Sequence, residues 1–459
     1  HTQTIYIMKT TWFLTILLFL SLTGYTQSSL IKMNKISVEA PFEMPDILIP
    51  NFKELPKYII TDFGAEANDK EKNALAIEQA IAKAAVRGGS VVIPPGEWHT
   101  KKIHLKSNVN LHIAEGATLL FSAEPKDYLP AVYSSWEGLE CYNYSPLIYA
   151  FGLKNVALSG TGTIKAQLDV WRKWFPRPKP HMESIKNLYN WAQDELPVEK
   201  RNMVNDTSNL RPQFIQFNRC ENVLIEDIKI RNSPFWTVHL YLSKNIVVRN
   251  IDIYAHGHNN DGIDPEMSQN ILIENCVFDQ GDDAIAIKSG RNPEGWRVQT
   301  PSKNIVIRNC TMKDGHQLLA IGSELSGGIE NILVENCEAG PGAKLMHLLF
   351  IKTNERMGGY VKNIYFKNIK AQDIQDGILG IDTDVLYQWR TLVSTRIKKT
   401  TPIENINLEN IQAKKGKFIS KINGNPESPA KNVMLKNVKL ENNTQERIQN
   451  KFVKNFSYN

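Results

Sequence analysis

The chain has 459 residues, 42% hydrophobic and 22% charged, which is ordinary globular composition with ample material for a core. The formal net charge is +6, and no dense basic stretch is interleaved with aromatics, so a nucleic-acid partner is excluded. A mild excess of Lys and Arg suits an acidic substrate or simply a solvated surface.

In chain order, Met8-Lys9, an apolar run over 12–22 and Gly24-Tyr25-Thr26-Gln27 read as a secretory signal. Residues 1–7 read as translated sequence upstream of the start. The run is too short for a membrane span, and no Cys follows it to take a lipid. These features predict a secreted or periplasmic protein, mature from about Gln27, with 1–26 removed. Residues 27–57, rich in Pro and Glu, read as a linker, and 58–459 as one catalytic body. A helix is predicted over 73–86, where Ala, Leu and Ile fall at helical spacing and Gly88-Gly89 ends the pattern. The segments 90–96 and 108–116 supply the first strands. From 168 to 211 the pattern is interrupted by a segment bearing Trp171, Trp174, Phe175 and Trp191. Its aromatic faces fit either the wall of a sugar-binding cleft or plain packing.

The body of the chain repeats Asn-[Ile/Val]-x-[apolar]-x-[Asn/Asp]-[Cys/Ile/Val], beginning at Asn222, Asn245, Asn270, Asn304, Asn331, Asn363, Asn405 and Asn432. Apolar residues fall at offsets one and three, then six and eight, so inward parity switches at the fifth offset: two short strands joined by a bend. The spacing varies from the 23 residues between Asn222 and Asn245 to the 42 between Asn363 and Asn405. A strand-only repeat of this length predicts an all-β solenoid, a right-handed parallel β-helix whose open apolar end the 73–86 helix caps. Asn suits the bend because its short amide tolerates unusual backbone and can bond its copy on the next turn. Length alone would suggest two or three domains; the continuous repeat argues for one elongated body. Three of the five cysteines, Cys276, Cys310 and Cys337, share one repeat offset with Ile and Val, which predicts small buried thiols rather than disulfides or a zinc site.

Three polar signals follow one another: Asn260-Asp261-Gly262-Ile263-Asp264, Gly281-Asp282-Asp283 and Gly315-His316-Gln317. Asp261 and Asp283 are 22 residues apart, one compact turn, so stacking at roughly 4.8 Å places them side by side. Asp282 and Asp283 would face opposite sides of a regular strand, and a bend at Gly281 would aim both outward. Clustered carboxylates repel, so at least one holds its proton near neutral pH, as acid/base cleavage of a glycosidic bond needs. Plain turn residues and calcium ligands are the competing readings.

These residues resemble glycoside hydrolase family 28, the polygalacturonase family. Asn259-Asn260-Asp261-Gly262-Ile263-Asp264, Gly281-Asp282-Asp283 and Gly315-His316 match its motifs, with Gln317 in place of a final Gly, and the likeness runs from about residue 58 to 438. The resemblance implies a metal-free, cofactor-free hydrolase that inverts configuration, with Asp282 as general acid, Asp261 and Asp283 activating water, and His316 tuning the acid. Inversion rests on the resemblance alone, because stacked carboxylates fall at or below the roughly 6.5–9.5 Å that inverting pairs usually keep. The family's Arg-Ile-Lys motif, which binds the substrate carboxylate, reads Phe350-Ile351-Lys352 here. Lys352 remains; Lys288, Arg291 and Arg356 are cations near enough in sequence to compensate, or plain surface charges. Trp236 and His239, at and just after Ser233-Pro234-Phe235-Trp236, complete the substrate-binding candidates.

The expectation is an exported hydrolase of pectic or related acidic polysaccharide, a monomer with no membrane span; the insertions at 168–211 and 291–302 are long enough to close a groove, which fits action on chain ends. A calcium-dependent lyase on the same fold and a non-catalytic carbohydrate-binding solenoid are the alternatives.

Overall fold

A computed structural model describes residues 31–205, 207–340 and 343–459; the expected signal lies outside them. Among the described residues, one parallel sheet of eleven strands and one of twenty-one coil around a common core as a right-handed parallel β-helix. Each strand pairs with its counterpart one turn on. Inward residues stack by register, as in Ile246–Ile271–Ile305–Ile332–Ile364–Ile406–Val433, all buried.

Both conserved offsets of the repeat are left-handed. The opening Asn of every copy has φ between 55 and 60°, and the residue five places on, from Asp227 to Asn437, has φ between 52 and 68°. L-residues avoid this region, and Asn and Asp are the side chains that pay least for it. Each opening Asn also donates Nδ2–H to the Oδ1 of the preceding copy at 2.9–3.3 Å. This ladder extends past the legible repeat to Asn108, Asn155 and Asn455. A rung contributes about 1 kcal/mol, and removing one Asn also strands two partners.

The capping helix spans Lys70–Arg87. The Asp69 side chain accepts from the Glu71 and Lys72 amides, and the helix stops at Gly88, with φ 84°. Its Ala76, Ile77, Ala80, Ile81 and Ala84 face the core. Asn73, buried, ties it to the first turn by donating to the His99 carbonyl at 2.9 Å.

The expected linker is different. From residue 31 it forms an antiparallel pair, Lys32–Ile36 with Ile47–Asn51. Ile47, Ile49 and Phe52 lie on an outer row of Leu224, Val247, Leu272, Val306 and Leu333. That row occupies the x position at offset two, whose apolar character marks a covered surface and not a solvated one. The five cysteines are buried and free. The interrupting segment holds helices Trp171–Trp174 and Lys179–Gln193. Trp171 is fully buried, edge-on to Trp174 at 4.9 Å, and Trp191 packs on a second apolar cluster with Trp136 and Trp236, so the tryptophans of this segment pack rather than wall a cleft.

Candidate active site

A cleft of about 350 Å³ lies over the eleven-stranded sheet and is lined by Asp261, Asp282, Asp283, His316, Lys288, Arg291, Phe350, Lys352 and Trp236. Nine of the ten residues selected from sequence thus meet in one place. The tenth, His239, does not. It is fully buried, with Nε2 2.8 Å from Glu266 Oε2 and Nδ1 accepting from Gln216 at 2.9 Å. The hairpin Val132–Trp136/Leu139–Asn143 covers this part of the sheet, and Ser134 on it bonds Gln216. Arg356 is likewise held away from the cleft, by Thr395 and the Trp389 carbonyl.

Asp282 and Asp283 both reach the cleft. Gly281 is needed for closeness and not for a left-handed backbone: a Cβ there would stand 2.5 Å from the Gly257 amide. One oxygen from each of Asp282 and Asp283 and one ring nitrogen of His316 lie within 4.8 Å of one another. His316 Nδ1 is 3.1 Å from Asp282 Oδ1, and its backbone amide donates to the Asp282 carbonyl at 2.8 Å. Lys352 donates to Asp283 Oδ2 at 3.2 Å, while Asp283 Oδ1 is buried without a hydrogen-bond partner.

The environment drives the carboxylates apart. Burial, then the Asp282 charge, pushes Asp261 up to about 8. Burial and the Asp261 charge push Asp264, directly behind it, well above the carboxylate range. Burial also raises Asp283, against the pull of Lys352. At Asp282 burial acts upward too, but the His316 bond and the charges of His316, Lys352 and Lys288 outweigh it and hold the group below its ordinary value. The same bond raises His316 to about 8. Its sign is clear: the ring gains its proton in the folded protein, so the pairing is fully present below pH 6.5 and is lost as pH rises through about 8. In an NMR titration His316 should therefore turn over near 8 in the native protein and fall back towards 6.5 in Asp282→Asn.

The cations offered as substitutes for an arginine at 350 are already occupied. Lys288 Nζ lies 3.4 Å from Glu324, 3.8 Å from Asp261 and 3.9 Å from Asp264. Arg291 is 2.5 Å from the other Glu324 oxygen, donates Nε–H to the Glu137 carbonyl at 2.9 Å, and lies over Trp389. Burial acts upward on Glu324, yet these two cations hold it down to about 2. Phe350 stacks on His347, 4.6 Å and 10° apart, and His347 bonds Gln317 at 3.1 Å. The two departures from the family motifs, Gln317 and Phe350, are thus joined through one imidazole.

Sequence reasoning missed Glu137, Arg177, His258, Glu324 and the run Tyr387-Gln388-Trp389, all of which line the cleft from loops outside the repeat. The hairpin tip, the 289–302 segment and the 383–395 segment converge on Arg291. Its amide donates to the Gly138 carbonyl at 3.0 Å, and Gln388 reaches Glu137 at 3.5 Å. Gly138 is required there, since φ is 83° and a Cβ would stand 2.6 Å from the Arg291 amide.

The chain is 27% identical over 405 residues to a probable polygalacturonase of Vitis vinifera, covering 83% of this chain and 73% of that one. It is 29% identical over 309 residues to an exo-poly-alpha-D-galacturonosidase of Dickeya chrysanthemi, where the match covers 61% of this chain and half of that protein. In fold it resembles a hyperthermoactive exopolygalacturonase from Thermotoga maritima, with a TM-score of 0.81, 34% identity, and 89% and 91% of the two chains covered. The family model for glycosyl hydrolases family 28 matches residues 197–457, more than half of the chain and all of the acid cluster, and the protein belongs to that family.

Proposed function

We propose that this glycoside hydrolase cuts pectic or related acidic polysaccharide from chain ends, with Asp282 as the general acid. The observation that carries the reading is the Asp282–His316 pair set against two carboxylates whose surroundings push them up. Different surroundings give neighbouring carboxylates different tasks. At rest the proton of the pair sits on His316. Transfer across the 3.1 Å bond as the cleft fills and loses water makes Asp282 the acid that protonates the leaving oxygen. Of the other two, Asp283, held by the Lys352 ammonium at 3.2 Å, is the base. Asp261, at about 8, already holds a proton and orients the water. Asp283 Oδ1, buried and unbonded, is where that water would be held. Inversion of configuration is what family membership implies for this arrangement.

The chain-end reading is supported by the wall built on Arg291, which closes one side of the cleft with groups from three separate segments, and by the exo-acting relatives. Export, a single catalytic body and a monomeric state belong to the same proposal. No helix among the described residues is long and apolar enough to cross a membrane.

With the three aspartates and His316 supplying acid and base, exhaustive chelation should leave the rate unchanged and products should show no double-bond absorbance. Activity lost to chelator and restored by calcium, with an unsaturated product, would replace the hydrolase by a lyase.

A further inference from the structure

Arg177 enters the cleft from the interrupting segment, between its two helices. Among the described residues it is the least committed cation on the cleft wall. Lys288 and Arg291 share Glu324 at 3.4 and 2.5 Å, Lys352 pairs with Asp283 and His316 with Asp282. His258, pushed down to about 4 by burial and by Arg177 and Arg211, carries no charge at neutral pH. The Arg177 guanidinium has one ion pair, Nη1 to Glu137 Oε1 at 3.9 Å, which is beyond hydrogen-bond reach, and its side chain is 20% exposed. Glu137 is a divided holder: Arg291 shares it at 3.8 Å, and burial pushes its carboxyl above the ordinary range. A guanidinium brings five donors in a planar fork, and here none of them is spent.

Two further facts suit a ligand at this point. Arg177 has φ 51°, a left-handed backbone that a long side chain adopts only at a cost of about 1–2 kcal/mol. Arg177, His258 and Asp282 line the same cleft, so the guanidinium faces the space in which the acid works.

We propose that Arg177 is the specificity-determining residue that receives the carboxylate of a terminal uronic acid, in two parallel hydrogen bonds, in place of the arginine missing at 350. The proposal rests on the chain-end reading above. With no arginine at 350, it makes the preferred substrate an acidic end sugar joined to a neighbour that needs no carboxylate.

The test uses two oligosaccharides identical except that the terminal uronic acid of one is reduced to the neutral sugar. Wild-type enzyme should favour the acid by about 10- to 150-fold in kcat/KM, the range of a charge-assisted pair. Arg177→Ala should erase the preference by losing activity on the acid and not on the reduced compound. Arg177→Lys, which keeps charge but not the fork, should fall between them. Melting temperature and the His316 titration, unchanged in both variants, establish that fold and acid pair are intact. An equal loss on both compounds would make Arg177 structural and overturn the proposal. If wild type cleaves both equally well from the end, the proposal alone falls; if it cleaves neither from the end, the chain-end reading falls and takes the proposal with it.

Discussion

Asp282→Asn should lower kcat by about 10²- to 10⁴-fold while substrate binding and melting temperature barely change. That is about 2.7–5.5 kcal/mol of transition-state stabilisation, lost because the amide occupies the same space and accepts the same His316 bond but has no proton to give. The deficit should shrink on a substrate with an aryl leaving group, whose oxygen departs without protonation. A variant retaining more than a third of the wild-type rate, or one equally crippled on the aryl substrate, would remove Asp282 from the acid role.

Phe350→Arg should shift specificity towards plain polygalacturonate by about 10- to 150-fold, since a charge-assisted bond contributes about 1.5–3 kcal/mol. The wild-type ring lies flat on His347 and 6.0 Å from Lys352 Nζ, presenting an apolar face where the family motif presents a two-pronged donor. Wild-type enzyme should accordingly favour a substrate with a neutral sugar at that position, such as a rhamnose-containing chain. The substitution also breaks the ring stack, which costs about 0.5–1.5 kcal/mol and should show as a slightly lower melting temperature. Efficient wild-type cleavage of unsubstituted polygalacturonate, with specificity unchanged in the variant, would show that Lys352 already suffices.

What could be read from sequence was whatever the solenoid itself demands. A left-handed bend on every turn selects Asn, so Asn222 to Asn432 announce the coil, and a 22-residue turn places Asp261 beside Asp283 without any knowledge of tertiary structure. What escaped lies where distant segments meet. His239 follows Trp236 closely in sequence, but a hairpin some hundred residues earlier lies over it, and no local pattern records that cover. Glu324 carries no motif; its pairing with Lys288 and Arg291 exists only once three loops have closed on Arg291. The arm over residues 31–52 did leave a trace, the apolar x positions Leu224 to Leu333, which an inward-facing reading of the repeat passes over.

The first bonds broken distinguish attack from the chain end by hydrolysis from every alternative. An oligosaccharide bearing a terminal uronic acid and a label at its opposite end should be followed from the earliest measurable conversion. Release of one saturated sugar at a time, with the label passing through chains shortened by single residues, is the predicted result. A spread of internal fragments at low conversion, or a product carrying a new double bond, would contradict it.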